Sequence, residues 1–227
     1  MTDSPPRLAL FDLDNTLIDR AAAFRLWASA FLAGRSLGGE REVDWLCEAD
    51  RDGLTPRPLL FEQVRSRYRL ADGVEDLVAA YRRDYPQHVP PLEEETLTAL
   101  HDLRARGWKV GIVSNGPPTQ EAKIVAAGLI EVVDGWAISE VVGAAKPEPA
   151  IFRAAAAACG CKLDGTWVVG DSARADIGGA VACGLPSIWI SRGREWEIDE
   201  FKPDAITETV AQTITYILAA SQSSTSQ

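Results

Sequence analysis

Apolar and polar positions follow two different periods along this chain, and the places where the period changes divide it. Leu8-Ala-Leu-Phe11 is an unbroken apolar run that stops at Asp12 and Asp14. A run of that kind predicts a strand buried on both faces, as in a parallel sheet. From Ala21 to Ala33 the period is helical, with Phe24, Leu26, Trp27, Ala30 and Phe31 near one-face spacing; Gly34 and Gly38-Gly39 end it. A second helix is predicted over 40–52, with Val43, Leu46 and Cys47 inward. A third runs from a Thr55-Pro56 start, read as N-cap and first helical residue, to about Arg69, and a fourth covers 73–85. Pro86, Pro90 and Pro91 punctuate the chain after the fourth helix, and residues 1–6 read as a frayed lead-in.

After Pro91 the chain alternates. A helix over 93–106 is stopped by Gly107, and Trp108 to Val113 is a second buried strand ending in Ser114-Asn115-Gly116. Helix 119–127, short strand 136–139 and a helix from Pro147 to about Ala158 come next. Strand 166–170 ends in Asp171-Ser172, helix 173–183 is stopped by Gly184, and strand 186–190 and helix 208–219 complete the series. Strand-helix alternation predicts an α/β fold with a parallel five-stranded sheet flanked by helices. Four successive helices fit poorly as one crossover between neighbouring strands. Residues 20–90 are therefore expected to form an inserted all-helical cap, with the core built from 1–19 and 91–220 and a disordered polar tail over 221–227.

Parallel strands bring their carboxyl ends together, and ligands bind outside those ends. Asp12 with Asp14, Ser114 with Asn115, and Asp171 with Ser172 are thus expected to converge on one crevice. Asp12 and Asp14, two residues apart, fall on one face of an extended segment. Carboxylates that close resist joint ionisation, and a divalent cation is the usual compensation; oxygen-only ligands suit Mg²⁺.

Composition narrows the chemistry. Of 227 residues, 46% are hydrophobic and 25% charged, an ordinary globular balance. The net charge of -10 with no basic block argues against nucleic acid or an anionic membrane as partner. A phosphate substrate would need local cations against that field. No apolar run is long enough to span a bilayer and no secretory pattern is seen, so a cytoplasmic protein is expected. Cys47, Cys159, Cys161 and Cys183 are too scattered for a disulfide framework. With only His88 and His101 to complete a site, Cys159-Gly-Cys161 reads as buried free thiols rather than a zinc site.

Four ordered motifs resemble those of the haloacid dehalogenase superfamily, in its phosphatase branch. They are Asp12-Leu-Asp14-Asn-Thr16 after an apolar strand, Ser114 ending a strand, Lys146 in Ala-Lys-Pro-Glu-Pro, and Gly170-Asp171-Ser172-Ala-Arg-Ala-Asp176. The resemblance implies a Rossmann-like core, with the insertion between the first two motifs as its cap. It also implies that Asp12 is the nucleophile that becomes an aspartyl-phosphate, and that Asp14 is the general acid and base. Mg²⁺ would be held by Asp12, the Asp14 backbone carbonyl, Asp171 and Asp176, the last directly or through water. Ser114 and nearby N–H groups would hold phosphoryl oxygens, Asn115 would lie with them, and Lys146 would balance the negative cluster and touch the phosphoryl group.

Dehalogenases of this family lack the second aspartate of the first motif, so Asp14 points to phosphorus. Phosphonate-cleaving members use a cap lysine, and residues 20–91 contain none. The expectation is a Mg²⁺-dependent phosphatase of a small phosphorylated metabolite such as a nucleotide or sugar phosphate, acting as a monomer or homodimer; a phosphomutase, a 2-haloacid dehalogenase-type hydrolase and a non-catalytic binding protein are the alternatives. Asn115-Gly116 followed by Gln120 and Lys123 looks similar to nucleotide- and sugar-phosphate phosphatases. Trp27, Trp45 and Phe61 are expected in the cap's core, and Arg20, Arg25, Arg51 and Arg57 on solvated faces.

Overall fold

The computed structural model describes residues 7–223. In chain order its elements are β1 (Arg7–Phe11), α1 (Arg20–Ala33), α2 (Glu40–Asp50), α3 (Arg57–Tyr68), α4 (Val74–Asp84), α5 (Glu94–Ala105), β2 (Trp108–Ser114) and α6 (Gln120–Ala126). They continue with β3 (Gly135–Ile138), α7 (Ser139–Val142), α8 (Pro149–Ala158), β4 (Trp167–Gly170), α9 (Gly178–Cys183), β5 (Ser187–Ile190), β6 (Ala205–Thr207) and α10 (Val210–Ser223). The chain divides into two compact units, residues 1–18 with 91–227, and Asp19–Pro90.

The first unit is an α/β layer built on a parallel sheet of order β3-β2-β1-β4-β5-β6. β1 lies at its middle, which is why Leu8 to Phe11 can be apolar on both faces: all four side chains are buried. The chain runs from β1 outward to β2 and β3, then crosses back to β4 on the other side. That reversal at β1 is the topological switch where such sheets open a crevice. Helix α8 packs against β2 and β3 through two glycines. A Cβ on Gly111 would lie 2.6 Å from Sγ of Cys159, and one on Gly135 would lie 2.6 Å from the Ala158 carbonyl.

The sheet has six strands, not the five expected. β6 escapes a reading by apolar runs because it is three residues long and Ile206 is half exposed. It is fixed instead by backbone: Ser191 N–H donates to the Thr207 carbonyl, and Ser187 N–H donates to the Asp204 carboxylate. Ser139, expected to end a strand, opens the short α7. The 173–183 segment begins with a wider π turn over Ala173–Ile177 before α9. The last helix extends to Ser223, through residues expected in a tail; the rest of that tail and the lead-in lie outside the described residues. Among the described residues no helix is long and apolar enough to cross a membrane.

The second unit is four helices around an aromatic centre. Trp27 meets Phe61 and Tyr81 edge to face at 5.9 and 4.8 Å between ring centroids, and Tyr85 closes on Tyr81 at 4.9 Å. Trp27 and Phe61 are buried, while Trp45 is half-buried against Tyr68. Helix α2 ends at Asp50, short of the expected Asp52, because Arg51 and Asp52 adopt left-handed backbone. The buried Asp50 carboxylate organises that turn, accepting from Gly53 N–H, Arg20 and Arg57. Arg20 is therefore buried rather than solvated. Helix α3 starts one residue later than expected, at Arg57. Thr55 does not cap it; its hydroxyl donates to the Ala49 carbonyl at 2.6 Å.

Candidate active site

The sheet delivers its polar residues at the carboxyl ends of β1, β2 and β4. Past β1 the chain stays in register long enough for Asp12 N–H to donate to the Val169 carbonyl at 2.8 Å. It then turns tightly, with Leu13 buried beneath, Asn15 in left-handed backbone, and Asn15 N–H donating to the Ile18 carbonyl at 2.9 Å. Asp12 and Asp14 are thereby presented from a fixed turn rather than a loose loop.

Lys146 joins the first and fourth motifs. Its Nζ lies 2.5 Å from Oδ1 of Asp12 and 2.7 Å from Oδ1 of Asp176. The loop that carries it is held by Asn115, whose side-chain amide pairs with both backbone groups of Lys146. Lys146 N–H donates to Oδ1 at 2.8 Å, and Nδ2 donates to the Lys146 carbonyl at 3.0 Å. Asn115, expected to lie with the substrate, thus acts on Lys146.

Asp176 is buried completely. Its second oxygen accepts from Ser172 N–H at 2.9 Å, and Ser172 caps the following turn by accepting from Ala175 N–H. Its carboxyl group occupies the space a side chain on Gly170 would need: a Cβ there would lie 2.2 Å from the Asp176 Cγ. Asp171 is held from the other side. Arg194 Nη2 donates to its carboxylate at 3.0 Å and its carbonyl at 2.8 Å, and the Trp189 indole donates to the same carbonyl at 2.8 Å. Arg194 and Trp189 lie outside the motifs, and nothing in the local sequence signals their part.

Asp12, Asp171 and Asp176 each offer an oxygen, and these lie within 4.8 Å of one another. Burial is the main influence on all three. It raises Asp12 to about 7 although Lys146 pulls the other way, with Asp176 and Asp14 adding to the rise. Burial and the Asp12 charge raise Asp171 to about 6 against Arg194 and Arg192. Asp176 is raised too, again by burial against Lys146. For Lys146 itself, burial disfavours the charge, but the fields of Asp12 and Asp176 outweigh it and raise its pKa. A cluster whose carboxylates stay raised beside a lysine is short of positive charge. Its all-oxygen donors fit a hard divalent cation such as Mg²⁺.

The Asp14 carboxylate is held by two residues of α6. Lys123 Nζ lies 2.7 Å from Oδ2 and 2.9 Å from Oδ1, and Gln120 Nε2 donates to Oδ2 at 2.8 Å. The same Gln120 nitrogen lies 2.7 Å from the buried Ser114 hydroxyl. The structure therefore brings Asp12, Lys146, Asp171 and Asp176 into one cluster, and links Asp14 to Ser114 through Gln120. Gln120 and Lys123, read from sequence only as a pointer to substrate class, sit three apart on one face of α6, a spacing that could have signalled a joint role.

A haloacid dehalogenase-like hydrolase family model matches residues 6–184. Phosphoserine phosphatase of Thermus thermophilus is 35% identical over 130 residues, which cover 57% of this chain and 51% of that enzyme. The chain thus spans about half the length of that relative. Glyceraldehyde 3-phosphate phosphatase of Pyrococcus furiosus is 27% identical over 218 residues, covering 89% of each chain. The magnesium-bound hydrolase YfnB of Bacillus subtilis shares the fold with a TM-score of 0.77 at 22% identity, over 94% of this chain and 99% of that one.

Proposed function

We propose, for a chain that belongs to the haloacid dehalogenase-like hydrolase family, the reaction of a Mg²⁺-dependent phosphatase of a small phosphate monoester. The observation that carries this reading is the Asp12–Lys146–Asp176 contact with Asp171 alongside: a buried carboxylate facing a lysine ammonium and two further acids. Similarity to named phosphatases of small metabolites supports the bond cleaved and the size of the substrate.

In the proposed course an Asp12 oxygen attacks phosphorus, the aspartyl-phosphate bond forms and the ester P–O bond breaks. Asp14 gives its proton to the departing alkoxide oxygen. A water then attacks the same phosphorus while Asp14 takes its proton, and Asp12 leaves as carboxylate with inorganic phosphate released. Lys146 offsets the negative charge of Asp12 and Asp176 while the phosphoryl group is bound. Ser114, through its hydroxyl, and the backbone N–H groups beyond it hold phosphoryl oxygens. Asp12, Asp171, Asp176 and the Asp14 carbonyl would hold Mg²⁺, which supplies charge neutralisation at the phosphoryl oxygens when bound. The helical unit, inserted after the first motif, is assigned the part of a cap that sets which ester is accepted.

The test is phosphate release from a panel of sugar, nucleotide, amino-acid and organic-acid phosphates, with Mg²⁺ and with excess chelator. Release that needs Mg²⁺ and disappears in Asp12→Asn, with the fold retained, supports the reading. Release that persists in Asp12→Asn overturns the nucleophile. Silence of the folded wild type on every ester overturns the phosphatase.

A further inference from the structure

Proton transfer at Asp14 needs more than the residue; it needs the carboxylate aimed. A short side chain on a tight turn has two free torsions, and a misplacement of about 1 Å can cost about a hundredfold in rate. In this chain the Asp14 carboxylate is gripped by one face of α6. Oδ2 receives both Gln120 Nε2 and Lys123 Nζ, and the same ammonium reaches Oδ1. Both donors are buried, whereas Asp14 is partly open.

The grip is itself supported. A Cβ on Gly116 would fall 2.9 Å from Cγ and 3.0 Å from Cδ of Gln120, so the glycine leaves the room that the glutamine occupies. Gly116 is pinned in turn, its N–H donating to the Ser139 hydroxyl at 2.9 Å. Burying a lysine is costly unless it is paired, and Lys123 meets that cost on the Asp14 carboxylate.

We propose that Gln120 and Lys123 are positioning residues that hold the Asp14 carboxylate in the orientation from which it exchanges protons with the leaving group and with water. This assignment rests on the phosphatase reading and adds to it: Lys123 acts through Asp14, whereas Gln120 holds Asp14 and also reaches the Ser114 hydroxyl, so Lys123 carries the decisive arm of the test.

The experiment compares Lys123→Met and Gln120→Ala with wild type on an aryl phosphate, whose leaving group departs without a proton, and on an alkyl phosphate, whose leaving group needs one. A thermal melt establishes that each variant folds, and Lys123→Gln replaces Lys123→Met if the latter does not; Gln120→Ala, which also frees Ser114, is read for the larger loss on the alkyl ester. General acid-base assistance is worth roughly 10²–10⁴-fold, so losing its aim should cost kcat on the alkyl ester at least about tenfold more than on the aryl ester. The decisive arm places Lys123→Met in an Asp14→Asn background. A residue that acts through Asp14 loses its effect there, so the double variant should match Asp14→Asn alone on both esters. Equal losses on the two esters, or a Lys123→Met loss as large in the Asp14→Asn background as in wild type, would overturn the assignment while leaving the phosphatase intact. A folded wild type that hydrolyses neither ester overturns the phosphatase reading and this assignment with it.

Discussion

The ammonium of Lys146 lies 2.5 Å from Oδ1 of Asp12, and the two residues are 134 positions apart in the chain. One lysine, on a loop that Asn115 fixes at the end of β2, thus neutralises the carboxylate delivered by β1, the proposed nucleophile. Its removal leaves Asp12 and Asp176 buried together without it. Lys146→Met is expected to lose at least about a hundredfold in kcat and, in chelator, about 3–5 kcal/mol of stability. Lys146→Arg is not expected to rescue either, because a planar fork cannot replace a compact charge between two acids. Steady-state kinetics and urea unfolding check both.

Metal and pH should act on stability together. Asp12 at about 7 and Asp171 at about 6 both stand above the ordinary 3.8. Between those limits the folded metal-free protein binds more protons than the unfolded chain, so these two groups make it less stable as pH rises from about 4 to about 7. A cation binds the ionised form, so it restores most where the loss is greatest. The rise in melting temperature caused by Mg²⁺ over chelator is expected to grow from pH 5 to pH 8. A rise of the same size at both ends would show that these carboxylates do not titrate at the cation site.

Gly170→Ala should be more damaging than its size suggests. Its Cβ would stand 2.2 Å from the Asp176 Cγ, so the fully buried Asp176, bonded to both Lys146 and Ser172 N–H, has to shift to admit it. The expected result is loss of Mg²⁺ affinity and of activity together, read by titration calorimetry and phosphate release. Ala at Gly128, where a Cβ meets nothing within 4 Å, should cost only the strain of its left-handed backbone.

In the helical unit the comparable point is Asp50. Asp50→Ala takes from the buried Arg20 its shorter ion pair, leaving the longer one to Asp52, and removes the Arg57 carboxylate. About 3–5 kcal/mol of destabilisation is expected by urea unfolding. Asp52, 3.3 Å from Arg20 but largely exposed, should contribute under about 1 kcal/mol when replaced by Ala.

How much of the molecule is legible in its sequence depends on the range of the interactions involved. β1, β2 and β4 are read from continuous apolar runs, and their polar ends converge because parallel strands share a direction. The sixth strand has no such run; backbone bonds and Asp204 make it. Arg20 reads as a solvated helix residue because its acid lies 30 positions away. Gln120 and Lys123 find Asp14 across 106 and 109 positions, and no local pattern announces that partner. The departures arise where a side chain is governed by a distant charge rather than by its neighbours in the chain.

The crossover from β3 back to β4 has a consequence for the order in which the molecule becomes chemically competent. During synthesis Asp12 emerges early, but its counter-charge Lys146 and the acid Asp176 arrive only after the helical insertion and half of the sheet. Domains form as their contacts become available, and contacts this remote in sequence are the slowest to close. A nascent or prematurely ended chain that stops short of β4 therefore carries Asp12 without Asp171 or Asp176, the two acids that stand with it in the folded protein, and on the proposed function it is expected to be inert. The cluster of Asp12, Lys146, Asp171 and Asp176 is therefore complete only once the segment just past β4 is in place, so that the topology sets the moment at which the proposed chemistry can begin.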